Sequence, residues 1–337
     1  MVTLTVSLTG IQHAYSQATP GAAEYLSKMA QATNALNNET WQYLKAVTQG
    51  RGAKKVEKTR QALLSRINSV QDEVQSMPGF NGDHTLNHAC LEFLTLSYTV
   101  LKEDFDKILD MEEIAEESFD LMEAYLNAKA RASDMLEDAA DDFLDVQEEF
   151  VDEHGLTLVE SEDKTTQKIK RAGDALKYYN TLFLMFFKCY KEEGYVLGAL
   201  ALGDTVATRK HAGNLGQFAS DGLIKLDTIR AYHSDVSLKN TLKRVLDFYK
   251  KEAKDFSLMM DFHIKKDKLD KSKSKLDAIK ERDRTTSDVA EHNNAVAAYN
   301  KSAETYNRLS SSLNDTRKQQ VQAWEKAVSS FFSRHSG

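Results

Sequence analysis

The chain has 337 residues, 41% of them hydrophobic and 28% charged, with a net charge of −7 and only two prolines, Pro20 and Pro78. Polar composition with so little proline points to an all-helical protein. The acidic balance, with no RNP-like, zinc-finger or other basic-aromatic motif, argues against a nucleic-acid partner.

Residues 1–11 read MVTLTVSLTGI, an uncharged apolar run. Ala14 and Ser16 then fit the −3 and −1 positions of a signal-peptidase site, which makes Gln17 the first residue of a mature chain. The run lacks a basic start and reads as the tail of a signal peptide; a disordered N-terminal tail (1–16) is the alternative. No cysteine follows the run, so a lipid-anchoring cysteine is not supported. No other segment reaches the length of a transmembrane helix.

After Thr19-Pro20-Gly21, a helix is predicted over 22–48, with Leu26, Met29, Thr33, Leu36, Trp41, Leu44 and Val47 on its apolar face. The turn Gln49-Gly50-Arg51-Gly52 leads to a second helix over 53–77, which ends at Pro78-Gly79. From Gly82 to Gly155 there is neither Gly nor Pro. Asp83 can cap the start by accepting the orphan amides of the first turn, and Gly155 supplies the stop. Unbroken, a helix over 83–154 would span about 100 Å. Leu101, Phe105, Ile108, Met111, Ala115, Phe119, Met122 and Leu126 form one stripe, at the period of helices packed at shallow angles. Ala132, Leu136, Ala139, Phe143, Val146 and Phe150 form a second, and the irregular step between them predicts a bend or a change of partner at 127–133.

This region is also acidic. Residues 103–163 hold 23 Asp and Glu against three Lys and Arg, a net of −20 within the chain total of −7, which leaves +13 elsewhere. Glu112, Glu113, Glu116, Glu117, Asp120 and Glu123 repeat like charge at three- and four-residue steps, which weakens an isolated helix. A solvated outer face accounts for this, or else a basic partner; within the chain the lysine-rich segment 265–284 is the candidate.

The loop after Gly155 carries Leu156, Leu158 and Val159 and reads as packed. A helix over 167–201 contains LFLMFF at 182–187, apolar on every side and therefore surrounded by protein or lipid. Lys188 ends that run too early for a bilayer crossing. The next helix, 204–231, carries Gly213, Gly216 and Gly222, which lower helix stability and imply close approach of a neighbour. From Asp235 the chain repeats itself. Asp83, Leu86, Cys90, Phe93, Leu94 and Ile108 match Asp235, Leu238, Leu242, Val245, Leu246 and Met260 at an offset of 152, a pattern of apolar character more than identity. This helix runs over 235–283. Thr285 to Asp288 interrupt it, and a last helix covers 289–334.

The chemistry-bearing patterns are few. None of the nine histidines has a Glu three residues before it, so the Glu-x-x-His pairs of a di-iron bundle are missing. His84 and His88 are spaced for a zinc pair but have no third ligand nearby. There is no H-E-x-x-H, phosphate-binding glycine loop, G-x-S-x-G or Cys-x-x-Cys. Cys90 and Cys189 fall in apolar helical patterns, as buried free thiols or as a disulfide joining two helices. Lys residues over 265–284 alternate with Asp267, Asp270, Asp277 and Glu281, which suits a solvated or acid-pairing helix better than a polybasic lipid patch.

Three segments, VTQGRGAKKVEKTRQALL from Val47, DMEEIAEESFDLMEAYL from Asp110 and LFLMFFKCYKEE from Leu182, resemble a family of uncharacterised bacterial surface or lipoprotein-like helical proteins named after a leptospiral member. The resemblance covers most of the chain. It implies export and a helical fold, and it brings no catalytic residues.

These readings predict an elongated all-α bundle of about seven helices in two tandem repeats, 17–154 and 155–337. The predicted role is that of an exported, non-enzymatic structural or binding protein at the cell envelope or surface. No catalytic, cofactor or metal residues are assigned. The expected partner is a protein or envelope component, without nucleic acid. Oligomerisation is left open, and a BAR-like membrane-binding bundle is the alternative.

Overall fold

A computed structural model describes residues 10–12, 19–50, 52–108, 118–159 and 164–336. The signal-peptidase positions Ala14 and Ser16, the proposed first residue Gln17, and Glu112, Glu113, Glu116 and Glu117 lie outside the described residues. The fold is all-α apart from one short antiparallel strand pair. Among the described residues the helices are α1 (Ala22–Asn34), α2 (Asn37–Thr48), α3 (Ala53–Ser76), α4 (Thr85–Ile108), α5 (Phe119–Glu153), α6 (Lys164–Ala201), α7 (Thr205–Thr228), α8 (Ser237–Asp277) and α9 (Thr286–His335). Strands β1 (Gly10–Gln12) and β2 (Thr157–Val159) pair with Ile11 opposite Leu158. None of the described helices is long and apolar enough to cross a membrane.

Two compact units divide the chain. One holds the residues up to Asn180 together with those from Ser329; the other is Thr181–Val328, so α6 and α9 contribute to both.

The first unit corrects two expectations. The helix predicted over 22–48 is two, because Leu36 N bonds to Thr33 O in a tightened turn and Leu36 is buried there. The 83–154 helix is not continuous either: among the described residues it is α4 and α5. The residue before α5, Ser118, is extended, and its Oγ accepts the Leu121 amide (3.2 Å) as an N-cap. Residues 127–133, where a bend or a change of packing partner was expected, do not bend away from helix: they are regular helix inside α5. The physical reason is burial. A single helix would leave its stripe in water, whereas α4 and α5 fold back as an antiparallel pair. Phe93 stacks on Phe143 at 6.3 Å between ring centroids, and Phe80, before α4, meets Phe150 edge-on at 5.4 Å. Leu136, Phe143 and Phe150 of the second predicted stripe are buried with Leu26, Met29, Ile67, Leu94 and Leu101 in one core. Gly155, at φ +60°, ends α5 as expected: Leu156 N donates to Val151 O and Gly155 N to Asp152 O.

The second unit contains the run 182–187, whose residues are buried or half-buried, with Phe186 stacked on Trp324 at 5.0 Å. Gly222 of α7 lies so close to α8 that a Cβ there would sit 3.1 Å from Leu246 Cδ1, which explains why a helix tolerates that glycine. The helix predicted to reach 283 stops at Asp277, and Arg284 Nε donates back to Ile279 O to close its end before a short 3₁₀ turn, Glu281–Asp283. The lysine-rich segment finds carboxylates locally, as Lys265–Asp261, Lys266–Asp270, Lys275–Glu291 and Arg284–Asp277.

The repeat is present in backbone detail. An offset of 152 carries α3 onto α7 at both ends and the start of α4 onto that of α8. Both turns are closed by a bridge, Phe80 with Asp83 and Tyr232 with Asp235. Both place two consecutive residues at positive φ, Asn81 and Gly82 in one and His233 and Ser234 in the other. In both, the aspartate accepts the amide two residues on, Thr85 N at 2.9 Å and Ser237 N at 2.8 Å. Each also has a side chain at the same place that closes the end of the preceding helix: Asn87 Nδ2 donates to Met77 O (3.3 Å) and Val74 O (3.2 Å), and Lys239 Nζ donates to Ile229 O (2.5 Å).

Asn87 is buried, and its Oδ1 also accepts from the Tyr25 hydroxyl, so its amide ties α1, α3 and α4 together. Asn87→Ala strands these buried groups and should lower stability by about 1–3 kcal/mol. A urea denaturation midpoint shift with unchanged slope is the measurement.

Candidate functional site

The chemistry-bearing groups of the second unit gather around one pair of residues on α6. Glu192 and Glu193 follow the apolar run 182–187, and consecutive helical residues point about 100° apart. They therefore serve different neighbours. Glu192 accepts from two groups of α7, His211 Nδ1 at 2.7 Å and Asn214 Nδ2 at 2.9 Å. The Tyr195 ring lies 5.5 Å from that imidazole. Glu193 faces the other way and is bonded to the Arg317 guanidinium of α9. A second donor arm of Arg317 reaches Glu252 Oε1 of α8, and a third reaches Asn314 Oδ1 at 2.5 Å.

Burial decides the electrostatics. The Glu252 side chain is 0% exposed and that of Glu193 3%, while that of Arg317 keeps 17%. Two buried carboxyls thus share one guanidinium, and both cannot ionise at modest cost. Burial, with Glu193 alongside, pushes the Glu252 carboxyl up to about 9, so at neutral pH it holds a proton. Arg317 is held further above its usual range by the two carboxyls, which outweigh its burial. Burial, with Glu193 again beside it, pushes the Tyr249 hydroxyl well up. At pH 7 the cluster therefore holds the Arg317 cation beside a neutral Glu252 acid.

Beside this cluster is a cleft of about 210 Å³ between α6, α8 and α9. Leu197, Leu200, Phe256, Met259 and Leu313 make it apolar, and Tyr306, Ser310, Asn314 and Arg317 give it one polar stripe along α9.

The predicted metal pair lies elsewhere. His84 and His88 stack at 6.0 Å between rings, exposed at the start of α4. Among the described residues no three His, Cys, Asp or Glu come together as a metal site requires. Cys90 and Cys189 are buried free thiols, each pushed up to about 12 by burial, and so are unreactive as nucleophiles.

Neither Glu193, Glu252 nor Arg317 was singled out in the sequence. A signal was there for Glu252: it occupies a core position of the stripe Val245, Tyr249, Glu252, Phe256, where a charge needs a partner. Glu192 and Glu193 offered no such signal, since they follow Lys188 and Lys191 just past the apolar run.

No family model, curated protein or solved structure matches the chain.

The Glu252 proton sets a pH dependence. Its folded-state value lies above the ordinary carboxyl value of 4.5, so its contribution is fully present below about pH 4.5 and is lost as pH rises toward 9. Glu252→Gln keeps an acceptor for Arg317 and a donor for Glu193 but cannot ionise. Across that window wild type should lose stability relative to Glu252→Gln by at most about 1.4 kcal/mol per pH unit. Paired thermal melts at pH 5, 7 and 9 check this, and a constant difference between the two proteins would count against a protonated Glu252.

Proposed function

We propose that this chain is an exported, non-enzymatic helical protein with a structural or binding role at the cell envelope or surface. The observation that carries the non-enzymatic part is the closure of its acid–base groups upon one another. Carboxylates that perform acid–base work must reach a substrate. Glu193 and Glu252 are instead enclosed and bonded to Arg317. Around them the fold is long amphipathic helix, which suits a scaffold that presents surfaces. Export is supported by the apolar run and the small residues Ala14 and Ser16, and by the resemblance of the segments from Val47, Asp110 and Leu182 to a bacterial surface family.

Cleavage after Ser16 has a structural consequence, because it removes β1 and leaves the backbone of β2 without the strand it pairs with. Produced in a bacterial host from its own gene, the protein should be found outside the cytoplasm with Gln17 as its first residue by N-terminal sequencing. A cytoplasmic chain overturns this reading of export, and an exported one that keeps residues 1–16 overturns the cleavage site.

The second reading is a BAR-like membrane-binding bundle. It is favoured by the exposed Lys266, Lys268, Lys271, Lys273 and Lys275 along α8 and opposed by the pairing of Lys266 and Lys275 with carboxylates. Sedimentation with anionic liposomes separates the two. The first reading expects the protein to stay in the supernatant at low salt, and the second expects pelleting that about 0.5 M salt reverses.

A further inference from the structure

The cleft beside Arg317 has two polar ends and an apolar middle. On α8 the residues Glu252, Phe256, Met259 and His263 are spaced to share one face. On α9 the facing stripe is Tyr306, Ser310, Leu313 and Arg317. The stripes run antiparallel. Glu252 meets Arg317 at one end, and at the other the His263 and Tyr306 rings lie 6.0 Å apart. Between these ends the cleft wall is Phe256, Met259 and Leu313, with Leu197 and Leu200 of α6.

The Tyr306 and Ser310 hydroxyls line the cleft. Both residues are half-buried, and among the described residues neither hydroxyl bonds to a protein group, so both are open to a bound polar group.

The charge state selects among ligands. Arg317 is already paired with Glu193 and Glu252. A carboxylate or phosphate would have to compete with those carboxyls for the guanidinium, and an ammonium would lie against it. A hydroxyl both donates and accepts and brings no charge, so it suits a stripe of hydroxyl and amide groups. Apolar walls suit a hydrocarbon body.

We propose that the cleft between α6, α8 and α9 is a binding site for a small neutral amphiphile, an aliphatic or aromatic body of about ten heavy atoms bearing a hydroxyl group. This rests on the binding half of the reading above and is independent of export. Loss of the site would leave the localisation result untouched.

Calorimetric titration of the full chain with butan-1-ol, hexan-1-ol and octan-1-ol tests it, with octanoate and octylammonium as charged arms of the same length. One saturable site is expected, tightening about fourfold per added methylene, with both charged arms at least about tenfold weaker than octan-1-ol. Ser310→Phe fills the cleft from a half-buried position and should abolish octan-1-ol binding while the melting temperature holds. Tyr306→Phe keeps the ring, removes one hydroxyl and should weaken binding about three- to tenfold; it serves if Ser310→Phe does not fold. No saturation by octan-1-ol up to its solubility limit overturns the site. So does equal binding of octanoate, or binding that neither variant changes.

Discussion

A helix can take its apolar stripe out of water only against another surface, and most helical stability comes from that packing rather than from propensity. The architecture of this protein follows from that constraint. The stripes of α4 and α5 face each other, and Phe93 on Phe143 marks the seam. The α3–α4 and α7–α8 hairpins answer the same demand with one turn geometry used twice. The turn must bring the second helix back at packing distance, which explains its exacting backbone: two successive residues at positive φ, then an aspartate that receives the next helix.

The two hairpins show how loosely a geometry constrains its residues. One turn uses Asn81 and Gly82, which accept positive φ readily; the other uses His233 and Ser234, which do so at some strain. One closes the preceding helix with a neutral amide, Asn87, and the other with a cation, Lys239, suited to the negative end of a helix. Val70 is buried in α3, whereas its counterpart in α7 is Gly222, where Leu246 of α8 takes up the space. The offset of 152 was legible because the buried leucines recur, Leu86 with Leu238 and Leu94 with Leu246. The turn chemistry was not, because different side chains reach the same backbone.

Other parts of the fold were readable for equally local reasons. Pro78 cannot continue a helix and forces Met77 into the extended region, so the end of α3 was visible. Gly155 marked the end of α5 by the same kind of rule. The break at Ser118 was missed because no Gly or Pro announces it; the cue was a serine followed by Asp120 in the first turn, a start signal inside an unbroken apolar pattern. The Glu193–Glu252–Arg317 cluster was missed because it joins residues 59 and 65 positions apart on three helices, each unremarkable by itself. Sequence period places a residue on a face, but it does not say which face of another helix that residue will meet.

The two cysteines carry a last consequence. Cys90 lies in one compact unit and Cys189 in the other, both buried, both thiols far from ionising. A thiol reagent reaches either sulfur only when the surrounding helices part. The molecule therefore carries one built-in clock per unit: the labelling rate at each cysteine times the opening of its own unit, and the two rates together say whether the units breathe as one or separately.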